Sequence, residues 1–315
     1  MVSLASIRAS NAAVTHRTRP LAVFVGGTSG IGEGMARTFG RHTNGNADII
    51  IVGRNKAAAD TILSSLPTPD PASGSPPVTR EFIQCDATLM KNVNAATQDI
   101  LFKYPKINYL VVSTGIMTLA GRDKTVEGID KKLAVHYYAR WKFIHDLLPL
   151  VSKAKSEDET GSVMSVMAAS GGGAIDLNDL GLKKTYSLQN AALAAPTYND
   201  LMMESFSERY PSLALIHSIP GIVRSGLAAN SPSAVFRWSN FLLNTLFRPF
   251  SVSPEECAEY MWHGIYATAS KPGAWRTDTH GGDLGKKRYY GDEEQRTKLW
   301  EHTSEEISAA LKQAP

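Results

Sequence analysis

The residues best suited to chemistry lie in one glycine-rich turn. It reads Gly26-Gly27-Thr28-Ser29-Gly30-Ile31-Gly32, and it follows an apolar run over 21–25 and precedes a helical pattern over 33–42. A strand that turns on glycines into a helix presents free backbone N–H groups at the positive helix end, which suits a phosphate. Glu33 stands where a phosphate-transfer loop needs lysine. The turn therefore predicts binding of a dinucleotide pyrophosphate, and the alternative is a tight turn without a ligand.

The three-glycine spacing, with several further motifs in order over about residues 20–225, resembles the short-chain dehydrogenase/reductase family. The resemblance implies an NADP(H)-binding enzyme whose turn holds the pyrophosphate, through Gly26, Thr28, Ser29, Gly30, Ile31 and Gly32. It also implies that Asp86, next to Ala87, binds the adenine amino group. Ser113-Thr114-Gly115 stands where the family has Asn-Ala-Gly, at the ribose. The segment that would flank the nicotinamide amide contains Pro220, Gly221 and Val223.

The residue that ends the second predicted strand favours NADP(H) over NAD(H). A carboxylate there accepts from the ribose 2′-OH, whereas an arginine pairs with a 2′-phosphate. Here the residue is Arg54, followed by Asn55, with no acidic residue beside it. The alternative is an arginine that is merely solvated at a strand end.

The chemical residues that the family uses are not at their places. Family members reduce carbonyls with Ser, Tyr and Lys, helped by an Asn in the long helix. After the fifth predicted strand the chain has Met167 and Ala168 in place of the Ser, and His136 stands where the Asn is expected.

The Tyr-x-x-x-Lys positions are also replaced. One alignment places Ala192 and Pro196 there, and a gapless alignment from Pro220-Gly221 places Asn190 and Ala194 there. Neither register has a phenol four residues before an amine. Routine carbonyl reduction by the family mechanism is therefore expected to be slow.

Two residues are candidate substitute proton donors. Tyr186 lies in the loop that enters the helix and can reach the pocket, and His136 carries an imidazole that donates near neutral pH. Tyr198 is expected to face away from the pocket. Lys183 and Lys184, near Tyr186, are interpreted as solvated loop charges.

The predicted elements form a single doubly wound α/β domain over residues 1–315. Strands are predicted at 21–25, 48–52, 81–85, 107–112, 162–166 and 213–219, separated by helices, which indicates a parallel sheet with crossovers. A long helix is predicted over about 126–152. The apolar segment within about 225–255 is interpreted as a substrate lid, and the alternative is a helix that packs on the core or on a second subunit. Residues 285–315 are interpreted as a C-terminal helical extension.

Composition narrows the class of protein. The chain has 315 residues, 43% apolar residues and a formal net charge of +3, so nothing points to nucleic acid. The two cysteines, Cys85 and Cys257, lack metal-ligand spacing, so no metal is predicted. No apolar run has the length of a membrane span. The cytoplasm is the expected location, although the basic, acid-free first 20 residues also allow a mitochondrial transit peptide. A folded helix from Ser3 to about Val14 is favoured there.

Three functions remain open. The first is an NADPH-dependent reductase with a relocated proton donor, and the second is a non-redox isomerase, cyclase or dehydratase. The third is a non-catalytic NADP(H)-binding protein. The resemblance to fungal family members implies a role in secondary metabolism and a small apolar substrate, and a homo-oligomer is possible.

Overall fold

A computed structural model describes residues 3–70, 76–224 and 251–313. Within them, seven strands form one parallel sheet in the order β3-β2-β1-β4-β5-β6-β7. The strands are β1 (Leu21–Val25), β2 (Asp48–Gly53), β3 (Arg80–Gln84), β4 (Tyr109–Val112), β5 (Ser162–Val166), β6 (Ala214–Ser218) and β7 (Gly273–Thr277). The order reverses between β1 and β4, so the crevice that such sheets use for ligands opens at the carboxyl ends of these two strands. The predicted doubly wound fold is confirmed.

Helices cover both faces of this sheet. They are α1 (Leu4–Ala12), α2 (Gly30–His42), α3 (Lys56–Ser64), α4 (Met90–Lys103), α5 (Lys131–Leu133), α6 (Ala139–Ser156), α7 (Leu188–Arg209), α8 (Pro254–Thr268) and α9 (Glu293–Lys312). One apolar core lies under α2 and α8, with Trp262 stacked on Phe39 at 4.7 Å. The other core lies under α4, α6, α7 and α9. Because both faces are buried, β1 and β4 at the centre of the sheet consist of apolar and aromatic residues only.

Two predictions about elements need correction. The predicted long helix does not begin near residue 126, because Asp130 accepts hydrogen bonds from the amides of Lys132 and Leu133 and so caps the helix there. It also contains a π-helical turn, Ala134–Tyr138, between α5 and α6. The edge strand β7 and the helix α8 before it were not predicted, because β7 has no continuous apolar run and is partly exposed.

The N-terminal segment belongs to the fold. Ser3 caps α1 by accepting from the amide of Ser6. Asn11 donates to the backbone oxygen and the carboxylate of Glu259 on α8, both at 2.9 Å. These contacts agree with the favoured prediction of a structured helix at this end.

The predicted lid lies outside the described residues from 225 to 250, whereas the predicted C-terminal extension contains α9. No helix in the described part of the chain is both long and apolar enough to cross a bilayer. The same residues contain no cluster of His, Cys, Asp and Glu side chains that could hold a metal ion.

Candidate active site

A groove opens at the carboxyl ends of β1, β2 and β4, where the strand order reverses. Most residues predicted to bind a cofactor line it. These are Gly26, Thr28, Ser29, Gly30, Ile31, Arg54, Asp86, Ala87, Thr114 and Gly115. The fold therefore brings residues from four separate segments of the sequence to one surface.

The glycines of the turn have different tasks. Gly26 has φ +84°, and a Cβ there would lie 2.9 Å from the amide nitrogen of Thr114, so the turn packs directly on the end of β4. Gly32 does not line the groove. It packs under the turn instead, where a Cβ would lie 2.5 Å from the backbone oxygen of Gly26 and from the hydroxyl oxygen of Ser113. Gly30 has φ +59° at the first residue of α2. Only this third glycine combines a left-handed backbone with a position at the helix start that lines the groove.

The N-terminus of α2 is open toward the groove. Its N-cap residue, Ser29, makes no side-chain cap, whereas Ser3, Asn55, Ser187, Ser253 and Asp292 cap α1, α3, α7, α8 and α9. The acidic residue in the first turn, Glu33, is paired with Arg37 at 2.8 Å. The uncapped amides and the helix dipole remain available, and both fit a bound phosphate.

The rim beside this helix carries an unpaired cation. Arg54 is exposed, and no carboxylate among the described residues lies within ion-pair distance of it. Its neighbour Lys56 is engaged with Asp60 at 2.7 Å. Asn55 lines the adjoining surface, where its side-chain oxygen caps α3. Among the residues that the structure describes, Arg54 is therefore a cation without an ion-pair partner at this end of the groove.

Only one of the two carboxylate oxygens of Asp86 accepts hydrogen bonds from the described residues. Its Oδ1 accepts from the amide and the hydroxyl of Thr88, at 3.0 and 2.9 Å. Its Oδ2 has no hydrogen-bond donor among the described residues, so it can accept from a ligand amine.

The third predicted cofactor segment follows β6. Pro220, Gly221 and Val223 lie at the same edge of the sheet but are not among the described residues that line the groove. Gly221 has φ +73°, which turns the chain out of β6. Val223 then pairs with Val252 just before α8.

A buried arginine links the strand ends below the other half of the site. Arg140 on α6 is 1% exposed and donates to the backbone oxygens of Val112, Thr114 and Val166 and to the hydroxyl of Ser165. No carboxylate of the described residues pairs with it, and burial lowers its pKa to about 9. Its guanidinium fastens the ends of β4 and β5 together.

The π-helical turn is explained by the same network. A π turn leaves backbone carbonyls without their usual helical partners. The oxygen of Val135 accepts from Thr114 at 3.0 Å and from Arg140 at 3.3 Å. The oxygen of His136 accepts from Asn199 on α7 at 2.9 Å. Side chains from three other elements thus stabilise the turn beside the groove.

His136 does not have the geometry of a proton donor. Its Nε2 accepts from the amide of Ile116 at 3.1 Å, so that nitrogen carries no proton. Burial, with the charges of Arg140 and Lys132, lowers the pKa of His136 to about 3. The imidazole is therefore neutral near pH 7 and holds the loop after β4.

Tyr186 is half-buried in the loop before α7, and its hydroxyl accepts from the ammonium of Lys132 at 2.8 Å. Lys132 also donates to the oxygens of Ala120 and Gly121 at 2.5 and 3.4 Å. The sequence reasoning missed this phenol–amine pair, because its members are 54 residues apart and share no motif.

A buried ionic chain lies behind the end of β5. His217 Nε2 accepts from the amide of Ala168 at 3.2 Å, and its Nδ1 donates to Asp200 at 2.5 Å. Asp200 also pairs with Arg276 at 3.0 Å. Because Ala168 follows β5, this series of side-chain contacts fixes the start of the loop where the family's Ser was expected.

Comparison with known proteins agrees with this architecture. A family model for short chain dehydrogenases matches residues 20–176. The chain is 38% identical over 268 residues to Oxidoreductase AN1596 of Emericella nidulans, a match that covers 84% of this chain and 77% of that protein. The chain belongs to the short-chain dehydrogenase/reductase family.

Solved structures show the family fold over most of the chain. An uncharacterized protein from Mycobacterium Paratuberculosis superposes with a TM-score of 0.66 at 18% identity, over 95% of this chain and 97% of that one. The Pseudomonas aeruginosa RhlG/NADP active-site complex superposes with a TM-score of 0.60 at 18% identity, over 84% and 96%. At this identity the likeness concerns the fold alone.

The residues that the two sequence alignments match to the family's Tyr and Lys lie in the first half of α7. Ala192 is exposed, and Asn190 is exposed and donates to the backbone of Thr185 at 2.6 Å. Ala194 and Pro196 are buried. The adjoining Thr197 hydroxyl donates to the oxygen of Gly173 at 2.7 Å, so the loop after β5 packs against this part of the helix.

Proposed function

We propose that the protein is an NADPH-dependent reductase of a small apolar carbonyl compound in fungal secondary metabolism, with Tyr186 as its proton donor. The observation that carries the proposal is the groove at the strand reversal. It combines an uncapped helix start at Ser29 with the unpaired cation of Arg54. The NADP in the RhlG complex, a protein of the same fold, supports the choice of cofactor.

The residues of the groove fit the parts of NADP(H). The amides at the start of α2 would hold the pyrophosphate, and Arg54 would pair with the 2′-phosphate. The free Oδ2 of Asp86 would accept from the adenine amine. Thr114 and Gly115, with the segment Pro220–Val223, would border the ribose and nicotinamide. When bound, the reduced cofactor supplies a hydride to a carbonyl carbon.

Reduction also requires a proton for the carbonyl oxygen. Tyr186 can supply it from its hydroxyl, and the resulting phenolate recovers a proton from water. The location of the pair supports this role: Lys132 donates to the oxygens of Ala120 and Gly121 in the loop after β4, and the first residues of that loop line the groove. The geometry favours Tyr186 over His136, whose Nε2 has no proton to give.

Apolar side chains near the carboxyl edge of the sheet support an apolar substrate. Three exposed aliphatic side chains lie on three different loops or helix starts at the carboxyl edge of the sheet. They are Leu119 after β4, Leu188 at the start of α7 and Ile222 after β6. A cytoplasmic location, a single domain and a possible homo-oligomer remain part of this proposal.

The test uses NADPH deuterated at the transferable position with a panel of apolar ketones and aldehydes. A reductase consumes NADPH and places deuterium on the former carbonyl carbon. Transformation of a panel member or a pathway intermediate without NADPH consumption would replace the reductase with a non-redox enzyme. NADPH binding without any turnover would favour the NADP(H)-binding protein.

A further inference from the structure

The structure assigns to Lys132 a role that neither the family motif nor the sequence pattern gives it. We propose that Lys132 is the positioning residue for proton donation: its ammonium aligns the Tyr186 hydroxyl and stabilises the phenolate that remains. This inference rests on the proposed function, because it concerns the same reaction. It differs from the family arrangement, since the two residues come from different elements rather than from one helical turn.

Lys132 is a buried ammonium group without a carboxylate partner among the described residues. The residue is only 8% exposed, and no carboxylate of the described residues lies within ion-pair distance of its Nζ. A buried ammonium normally requires an ion-pair partner, because desolvation disfavours its charge. Here three neutral oxygens surround it, those of Ala120, Gly121 and Tyr186. Of these three, only the phenol oxygen can become an anion.

The second step is the fixed geometry of the pair. Two of the three Lys132 hydrogen bonds hold the loop after β4, so the ammonium cannot swing away without breaking them. Asp130 fixes the backbone beneath it by capping α5. The ammonium also lies 5.4 Å from the ring centre of Tyr186, so it approaches the phenol from its hydroxyl end. Both partners are therefore placed before any substrate arrives.

The third step is the proton balance. When the substrate oxygen takes the Tyr186 proton, the O–H bond of the phenol breaks and the electron pair stays on Oη. The negative charge then lies 2.8 Å from an ammonium that is itself only 8% exposed, so the attraction is stronger than between two fully solvated charges. Water returns the proton after product leaves, and Lys132 keeps its own protons throughout.

The direct test measures the phenolate of Tyr186 without cofactor or substrate. Tetranitromethane nitrates phenolates, and peptide mass spectrometry reports nitration at each tyrosine. The Lys132→Gln variant keeps a donor for the loop carbonyls but removes the charge. We expect nitration of Tyr186 to slow by about tenfold or more, because the variant removes the positive charge that lies 2.8 Å from the phenol oxygen. Nitration of the exposed Tyr290 in the same sample is the internal reference.

The neighbouring Lys131→Gln is the matched control, because Lys131 is exposed and pairs with Asp123 at 2.9 Å. It is expected to leave both nitration rates unchanged. Equal nitration of Tyr186 in the wild type and in Lys132→Gln would overturn the proposal and leave Lys132 as a tie for the loop only.

A kinetic cycle gives the second measurement. Lys132→Gln is expected to lower kcat by about ten- to a hundredfold. Added to Tyr186→Phe, it is expected to have no further effect, because coupled residues are not additive. Full additivity would contradict action through Tyr186. If the wild type reduces no carbonyl at all, the proposed function fails, and the nitration result still decides whether the pair exists.

Discussion

The groove around the glycine turn and the polar network under the end of β5 are built in opposite ways. In the groove, backbone amides and backbone turns provide the surface, and the residues come in short consecutive runs such as Gly26–Gly32. In the network, side chains such as Arg140 and Asn199 form hydrogen bonds with groups that are 25 or more residues away in the sequence. The residues of the groove can be predicted from local sequence patterns, whereas the contacts of the network cannot.

The difference between the two regions indicates which residues of such a site can be replaced. The groove needs glycines at fixed positions, because side chains there would collide with β4 or take a strained backbone. Residues of the network can be substituted, provided that every buried polar group keeps a hydrogen-bond partner. A relocated proton donor is therefore compatible with a retained cofactor groove.

The largest expected effect comes from Gly30→Val in the groove. Valine at φ +59° projects a branched side chain where the phosphates are expected, so NADPH binding is expected to be lost while the fold persists. NADPH fluorescence titration with circular dichroism measures this. Gly285→Val is the strain-matched control, because Gly285 has φ +51° and open space around it. Undiminished binding in folded Gly30→Val would show that the turn does not hold the phosphates.

The network is expected to be more important for stability than for binding. Arg140→Met leaves several buried oxygens without a donor, each costing about 1–3 kcal/mol, so the free energy of unfolding should fall by about 3 kcal/mol or more. Urea unfolding measures it. The control Arg37→Met removes a partly exposed pair with Glu33 and is expected to cost about 1 kcal/mol or less. Equal losses in the two variants would contradict the role assigned to Arg140.

The fold and the groove could be predicted because strands and glycine turns leave local patterns. The apolar runs predicted six of the seven strands, and the spacing of Gly26, Gly30 and Gly32 placed the groove. The edge strand β7 was not predicted because it is partly exposed and has no continuous apolar run. The pairing of Lys132 with Tyr186 escaped because it depends on how α5 and a distant loop pack, which no short pattern encodes.

A smaller effect is expected at the rim of the groove. Arg54→Ala should weaken NADPH binding by about ten- to a hundredfold, since a charge-assisted bond contributes about 1.5–3 kcal/mol. NADH binding should change little, because NADH lacks the 2′-phosphate. Lys56→Ala, two residues further along the chain and paired with Asp60, is the control. Equal NADPH and NADH affinities in the wild type would refute the cofactor assignment.

The smallest effect concerns His136 and pH. Its pKa is lowered to about 3 in the fold, so the unfolded chain binds the proton first as the pH falls. Its contribution to stability is therefore complete above about pH 6.5 and is lost as the pH falls from there toward 3. His136→Gln keeps an acceptor for Ile116 and should show a smaller drop in Tm between pH 7 and 4. An identical pH profile in both proteins would contradict this assignment.

The most direct test of the account is single-turnover reduction by wild type and Tyr186→Phe, with NADPH affinity measured in parallel. Loss of a general acid typically slows proton transfer by about 10²–10⁴-fold, so Tyr186→Phe should slow reduction by that factor. NADPH should bind both proteins equally, because Tyr186 does not line the cofactor groove among the described residues. Tyr290→Phe, at an exposed tyrosine, is the matched control. Full activity in Tyr186→Phe would contradict the central claim that this tyrosine replaces the missing proton donor.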